Sequence, residues 1–114
     1  MMINILGRSW NFTYKTDEEK DINLDGSDGY CDWTTRDIVV RKVPRDDGAH
    51  VNDLDRYERK CARHEIVHAF LFECGLGQNS KGTDSWATNE EMVDWFAFQG
   101  PKIMQAWKDA GVEN

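Results

Sequence analysis

Basic residues and long apolar runs are scarce in this chain of 114 residues, and each scarcity argues against a class of protein. Fourteen Lys and Arg stand against 21 Asp and Glu, so the formal net charge is −7. Nucleic acid and anionic membrane surfaces need clustered positive charge, and we expect neither as a partner. No apolar run approaches the roughly 18 residues that a membrane span needs, and residues 1–8 are too short and polar for a secretory signal. The expected location is the cytoplasm.

Cysteine is also sparse and shows no pairing pattern. Cys31, Cys61 and Cys74 form an odd set without CxxC spacing, which suits reduced thiols better than a disulfide framework. The length fits one hydrophobic core, so we expect a single domain over residues 1–114.

Hydrophobic periodicity predicts strands in the first half and helices in the second. Residues 2–6 and 10–15 read as strands, and residues 30–43 as a third strand or as a hairpin through residues 34–36. A helix is expected over residues 53–74, a second over 88–98, and a last helix from Pro101 to near Gly111, after a break at Gly100-Pro101. This order predicts an α+β fold, with a small N-terminal sheet against two or three helices.

The most informative motif is His64-Glu65-Ile66-Val67-His68, on the central helix of this prediction. Histidines at i and i+4 lie about 40° apart around a helix and roughly 6 Å apart along it, so both can reach one ion. Glu65 falls at the edge of the same face, where it can act as general base on metal-activated water. The pattern predicts a Zn²⁺ site with His64 and His68 as ligands.

A catalytic zinc site needs a third protein ligand, and residues 89–94 offer one. Glu90 follows His68 at a distance that allows a turn and a second helix, and Asp94 lies one turn further, where it can accept the far N–H of a ligand histidine. Glu91 is the rival ligand. It also fits a capping box that begins at Thr88, which would leave Glu90 for the metal.

With these residues the chain resembles the gluzincin metallopeptidases, in which a glutamate on the next helix completes the zinc site. The size and helix order look most like the minigluzincins and the zincin-like peptidases of phages and mobile elements, including the ImmA/IrrE type. The resemblance covers residues 53–108 and implies a zincin-like fold, zinc and hydrolysis of peptide bonds in a protein or peptide substrate. A sheet edge beside the site would let an extended peptide add as a strand.

The larger gluzincins have a histidine or tyrosine beyond the glutamate helix that stabilises the tetrahedral oxyanion. This chain has no His, Tyr or Arg after Asp94. A donor to the oxyanion would have to come from His50, Tyr30, Tyr57 or a backbone N–H. This gap leaves an alternative function open, a catalytically idle zinc-binding protein that recognises a partner chain through the same cleft.

The sequence contains two other patterns that could indicate a metal site. Cys61 lies three residues before His64, so a Cys-His-His structural site is conceivable, although a buried thiol is the commoner fate. Residues 21–32 follow the spacing of an EF-hand loop, with Asp21, Asn23, Asp25 and Asp32 at ligand positions. A strand is expected after this loop in place of a helix, which favours an ordinary acidic turn.

Overall fold

The fold is a four-stranded sheet followed by helices, and the predicted α+β class is confirmed. The computed structural model describes residues 1–46, 51–79 and 86–109. Among these residues no helix is long and apolar enough to cross a membrane. The strands are β1 (Met2–Ile5), β2 (Arg8–Lys15), β3 (Gly29–Asp32) and β4 (Asp37–Arg41), and the helices are α1 (Leu54–Glu73), α2 (Leu76–Asn79) and α3 (Glu90–Asp109).

The sheet is mixed and has the order β1-β2-β4-β3. β1 and β2 form an antiparallel hairpin, and so do β3 and β4, whereas β2 and β4 run parallel at the centre. The hairpin at residues 34–36 is therefore present, with Arg36 in the left-handed region at φ 57°. β3 is at one edge of the sheet, and its outer backbone groups have no strand partner among the described residues.

The core lies between the sheet and α1. Trp10, Ile38 and Val40 on the sheet are fully buried, and small residues on α1 such as Ala62 and Ala69 let the helix approach closely. Each large apolar side chain buried in this way contributes about 1.5–3 kcal/mol. α1 is thereby fixed across β4 and β3, with its other side left for α3.

The ends of α1 follow from local signals. The Asp53 side chain accepts a hydrogen bond from the backbone N–H of Arg56 at 3.0 Å and caps the helix. Gly75 adopts φ 90° directly after the last turn, a conformation that glycine adopts without strain. The prediction of a helix over residues 53–74 is confirmed to within one residue at each end.

The expected break at Gly100-Pro101 is wrong, because α3 continues through Pro101. Proline has no N–H, so it leaves the carbonyl of Ala97 without its usual helical donor. The Arg63 side chain of α1 supplies the missing bond, with Nε 2.6 Å from the Ala97 oxygen. This contact satisfies the free carbonyl and joins the two long helices. The predicted end near Gly111 lies outside the described residues.

The start of α3 also differs from the prediction. The Asn89 side chain accepts from the backbone N–H of Met92 at 2.9 Å, so Asn89 is the N-cap and the prediction of Thr88 as N-cap is wrong. Asn and Thr both cap well, and only the three-dimensional path of residues 86–89 selects one over the other. Glu90 is consequently the first residue of the helix.

Candidate metal centre

The motif residues of α1 face a cleft between this helix and β3. The rings of His64 and His68 have centroids 4.8 Å apart, and their side chains are only 16% and 12% exposed. Burial lowers the pKa of His68, because an imidazolium loses its hydration in this position. The neutral imidazole that remains is the form that binds metals.

Glu90 brings a carboxylate from the first turn of α3 to both histidines. Its Oε2 lies 3.0 Å from Nε2 of His64, and its Oε1 lies 3.1 Å from Nε2 of His68. The candidate ligand atoms of the three residues all lie within 4.8 Å of one another. Two segments far apart in sequence thus meet at one point.

The donor set fits zinc. Two imidazole nitrogens and one carboxylate oxygen are a known catalytic set, which leaves a fourth position open. Bonds of about 2.0–2.2 Å in a tetrahedron place ligand atoms roughly 3.3–3.6 Å apart, close to the 3.0 and 3.1 Å found between the Glu90 oxygens and the histidines. Small side-chain rotations would therefore suffice to enclose an ion.

The structure brings Glu90 and not Glu91 to the histidines. Successive residues of a helix point about 100° apart, and Glu91 faces the exposed surface near Trp86 and Trp95. The role of Glu90 as a ligand remains a prediction, and the geometry supports it over the rival.

Asp94 lies where the sequence places it, one turn beyond Glu90. Its Oδ1 is 3.0 Å from Nδ1 of His64 and 2.5 Å from Nζ of Lys60. Partial burial by itself would raise the pKa of Asp94, but the hydrogen bonds from Lys60 and His64 lower it. An ionised carboxylate at this position fixes the proton of His64 on Nδ1 and leaves Nε2 free to bind an ion.

Glu65 is buried beside these residues, and only 9% of its surface is exposed. Burial raises its pKa to about 7; Glu90 adds to the rise and His64 opposes it. Within the described ranges no group donates a hydrogen bond to the Glu65 carboxylate. Its oxygens are thus available to a molecule in the cleft.

Gly29 forms the wall of the cleft opposite Glu65. A Cβ at this position would lie 3.0 Å from the Val39 oxygen, 3.1 Å from Cγ of Glu65 and 3.2 Å from its Oε1. Any larger residue would crowd the carboxylate, so the close approach of β3 to α1 depends on glycine here. The cleft measures about 440 Å³ and runs along the edge strand.

The fold places the candidate oxyanion donors Tyr57 and Tyr30 in different surroundings. Tyr57 lines the cleft, where its hydroxyl donates to Asp28. Tyr30 points elsewhere, because its hydroxyl donates to Oδ2 of Asp21 at 2.7 Å. His50 lies outside the described residues. Tyr57 is therefore the candidate that the structure brings nearest to the predicted site.

The two competing metal sites are not supported. Cys61 is buried in the core, and within residues 1–46, 51–79 and 86–109 the only cluster of potential ligands is His64, His68 and Glu90. Asp21 is already bound by Lys15 and Tyr30, which together hold its pKa at about 2. Asp32 accepts from the backbone N–H of Thr34, and β3 takes the place of an exiting helix.

Sequence reasoning missed Lys60 and Gly29. Lys60 lies one turn before His64 on the same helix, so the i to i+4 spacing could have indicated it. Gly29 carries no comparable signal, because its importance arises from contact with a residue 36 positions away. Only the packing of β3 on α1 reveals it.

Three comparisons with known proteins find no match to this chain. No protein-family model matches it, and searches of curated proteins and of solved structures give no significant match. The geometry of the site is therefore the basis for a functional proposal.

Proposed function

We propose that this chain is a zinc-dependent peptidase of the gluzincin type, acting on a protein or peptide substrate. The observation that carries the proposal is the meeting of His64, His68 and Glu90 beside a buried Glu65. A purely structural metal site would have no need of a carboxylate that lacks donors and opens to a cleft.

His64, His68 and Glu90 would hold the ion, with Asp94 orienting His64. Zinc, when bound, supplies a Lewis acid that polarises a carbonyl and makes water more acidic. Three protein ligands would leave a fourth position on zinc open to water or substrate.

Glu65 moves the proton. It accepts one from the attacking water as the water oxygen bonds to the carbonyl carbon of the scissile peptide. It then gives this proton to the amide nitrogen as the C–N bond breaks, and an acid and an amine leave. Burial raises the pKa of Glu65 to about 7 in the metal-free protein, and a bound cation would lower it, which favours the ionised form that accepts the first proton.

The edge strand determines what kind of substrate fits. β3 lines the cleft and is an edge of the sheet, so an extended segment can pair with its backbone in the manner of an added strand. Main-chain pairing accepts many sequences, which favours unfolded or flexible protein segments over small molecules.

A second candidate is the idle zinc-binding protein. Tyr57 is the candidate oxyanion donor that lines the cleft, but its hydroxyl donates a hydrogen bond to Asp28. No His, Tyr or Arg follows Asp94 to replace it. An oxyanion without a donor is stabilised less, and removal of one such donor typically slows acyl transfer about 10²–10³-fold.

The deciding experiment compares wild type, Glu65→Gln and the matched control Glu91→Gln. Each is loaded with zinc and incubated with a mixture of unfolded proteins, and new termini are mapped by mass spectrometry. Loss of a general base typically slows a reaction by about 10²–10⁴-fold. We expect termini from wild type and Glu91→Gln that Glu65→Gln does not produce.

Two outcomes would contradict the peptidase. Equal cleavage by wild type and Glu65→Gln would assign the activity to a contaminant or to another mechanism. Failure of zinc-loaded wild type to cut any substrate would favour the idle binder.

A further inference from the structure

A groove between α1 and α3 carries exposed aromatic residues on the side away from the sheet. Trp95 is 53% exposed and Phe98 is 56% exposed. Together with Val51 and Tyr57 they line a groove of about 550 Å³. The groove adjoins the metal cleft, because Tyr57 and Lys60 line both.

The composition of this groove is that of a protein-binding surface. Trp, Tyr, Phe and Arg are enriched at the centres of interfaces and carry most of their binding energy. Exposed apolar side chains grouped with a polar rim mark sites of association more often than single scattered ones do. Trp95 and Phe98 lie one turn apart on α3, so they present one continuous surface.

The charges around the groove oppose those of the chain. Two of its three carboxylates are engaged, since Asp94 is bound by Lys60 and Asp53 caps α1. With Glu91 the groove has three acids, and four basic residues line it, so one positive charge is in excess; the basic residues are Arg56, Lys60, Arg63 and Lys102. The excess of positive charge in the groove attracts an acidic partner. The rest of the surface repels such a partner, because the net charge of the chain is −7.

We propose that the groove docks an acidic polypeptide segment with an apolar or aromatic anchor. The anchor would rest between Trp95 and Phe98, and acidic residues on either side would meet Arg56 and Lys102. Docking in this groove requires neither zinc nor Glu65, because the groove lies beside the cleft that contains His64, His68 and Glu65.

Peptide binding tests the charge and the anchor separately. The probes are labelled peptides of about twelve residues with a central Trp flanked by Glu, the same peptides with Lys in place of Glu, and the acidic peptides with Ser in place of Trp. Anisotropy titrations at low and high salt give the affinities. We expect the acidic Trp peptide to bind at least about 10-fold tighter than either relative, and to weaken as salt rises.

Matched variants locate the site. Trp95→Ser should weaken binding at least about 10-fold, whereas Trp33→Ser, which changes another exposed tryptophan at the β3–β4 turn, should not. Arg56→Glu with Lys102→Glu should reverse the preference toward the Lys peptide, and Arg59→Glu with Lys20→Glu should leave it unchanged. Circular dichroism of each variant verifies that the fold is kept.

Three results would overturn the proposal. The first is the absence of binding by every peptide at millimolar concentration. The second is acidic-peptide binding that Trp95→Ser leaves intact. The third is self-association in sedimentation experiments that Trp95→Ser abolishes, which would assign the groove to a second copy of the chain.

Discussion

Glu58 and Glu65 are two buried carboxylates on one face of α1, seven residues apart, and their pKa values move in opposite directions. Burial alone would raise both. Glu58 accepts from Arg45 at 2.7 Å, from Lys42 at 2.8 Å and from the Val43 N–H at 2.9 Å, and these donors lower its pKa to about 2. Glu65 lacks such donors within the described residues, and its pKa rises to about 7.

The difference shows that burial does not decide the role of an acid. Glu58 is held by donors from the segment after β4 and stabilises the fold. The oxygens of Glu65 face the cleft and accept no hydrogen bond from the described residues. Burial of this carboxylate therefore destabilises the folded state. A carboxylate maintained at such a cost is a candidate for chemistry.

The largest effect expected concerns Glu65 in metal-free protein. Its pKa is raised from 4.5 to about 7, so its contribution to stability is complete below pH 4.5 and is lost as pH rises through about 7. At pH 8 in chelator, Glu65→Gln should be more stable than wild type by up to about 3 kcal/mol. Urea unfolding from pH 4 to 8 measures this, and a constant difference across the range would contradict it.

Glu58→Gln should act in the opposite direction. Its low pKa contributes stability that is complete above pH 4.5 and is lost as pH falls toward about 2. The cost at pH 7 should be about 2 kcal/mol, because Lys42 and Arg45 are about half exposed and can turn to water. Urea unfolding extended from pH 7 down to about pH 2 should show the cost disappear in acid. If Glu58→Gln were as stable as wild type at pH 7, the comparison would fail.

Asp94 sharpens the comparison because it resembles Glu58, with a cation at 2.5 Å, yet it also contacts His64, a predicted zinc ligand. Asp94→Asn weakens the bond that orients His64, so zinc affinity should fall about 10–100-fold. Competition with a chromogenic chelator measures the change. Asp55→Asn on the exposed side of α1 is the control, and equal affinities for the two variants would remove Asp94 from the site.

The smallest effects concern the helix start that delivers Glu90. Asn89→Ala removes the cap bond to Met92 and should cost about 1 kcal/mol of unfolding free energy. Glu91→Gln loses only a favourable charge in the first turn, worth roughly 0.3–1 kcal/mol at most. Thermal and urea unfolding rank the two, and a larger loss in Glu91→Gln would restore the capping box.

The parts of the fold set by local patterns could be predicted. Asp53 and Gly75 delimit α1 through interactions within a few residues, and the spacing of His64 and His68 follows from helix geometry alone. Alternation located the strands, because one face of each is buried.

The remainder depends on contacts between distant residues. The continuation of α3 through Pro101 needs Arg63, 34 positions before the carbonyl that it satisfies. The opposite pKa shifts of Glu58 and Glu65 arise from the donors Arg45 and Lys42 at Glu58 and from burial at Glu65, which periodicity along α1 does not reveal. The surroundings of each carboxylate are formed by tertiary contacts. These contacts decide which of the two acids is a candidate for catalysis.

Zinc content is the most direct test of the central claim that Glu65 stands beside a zinc site without being part of it. Wild type, Glu65→Gln and Glu90→Gln are purified without a metal-affinity column and dialysed against zinc, and elemental analysis gives the metal per chain. We predict one zinc in wild type and in Glu65→Gln, and a marked loss in Glu90→Gln. No zinc in wild type, or its loss in Glu65→Gln, would contradict the account.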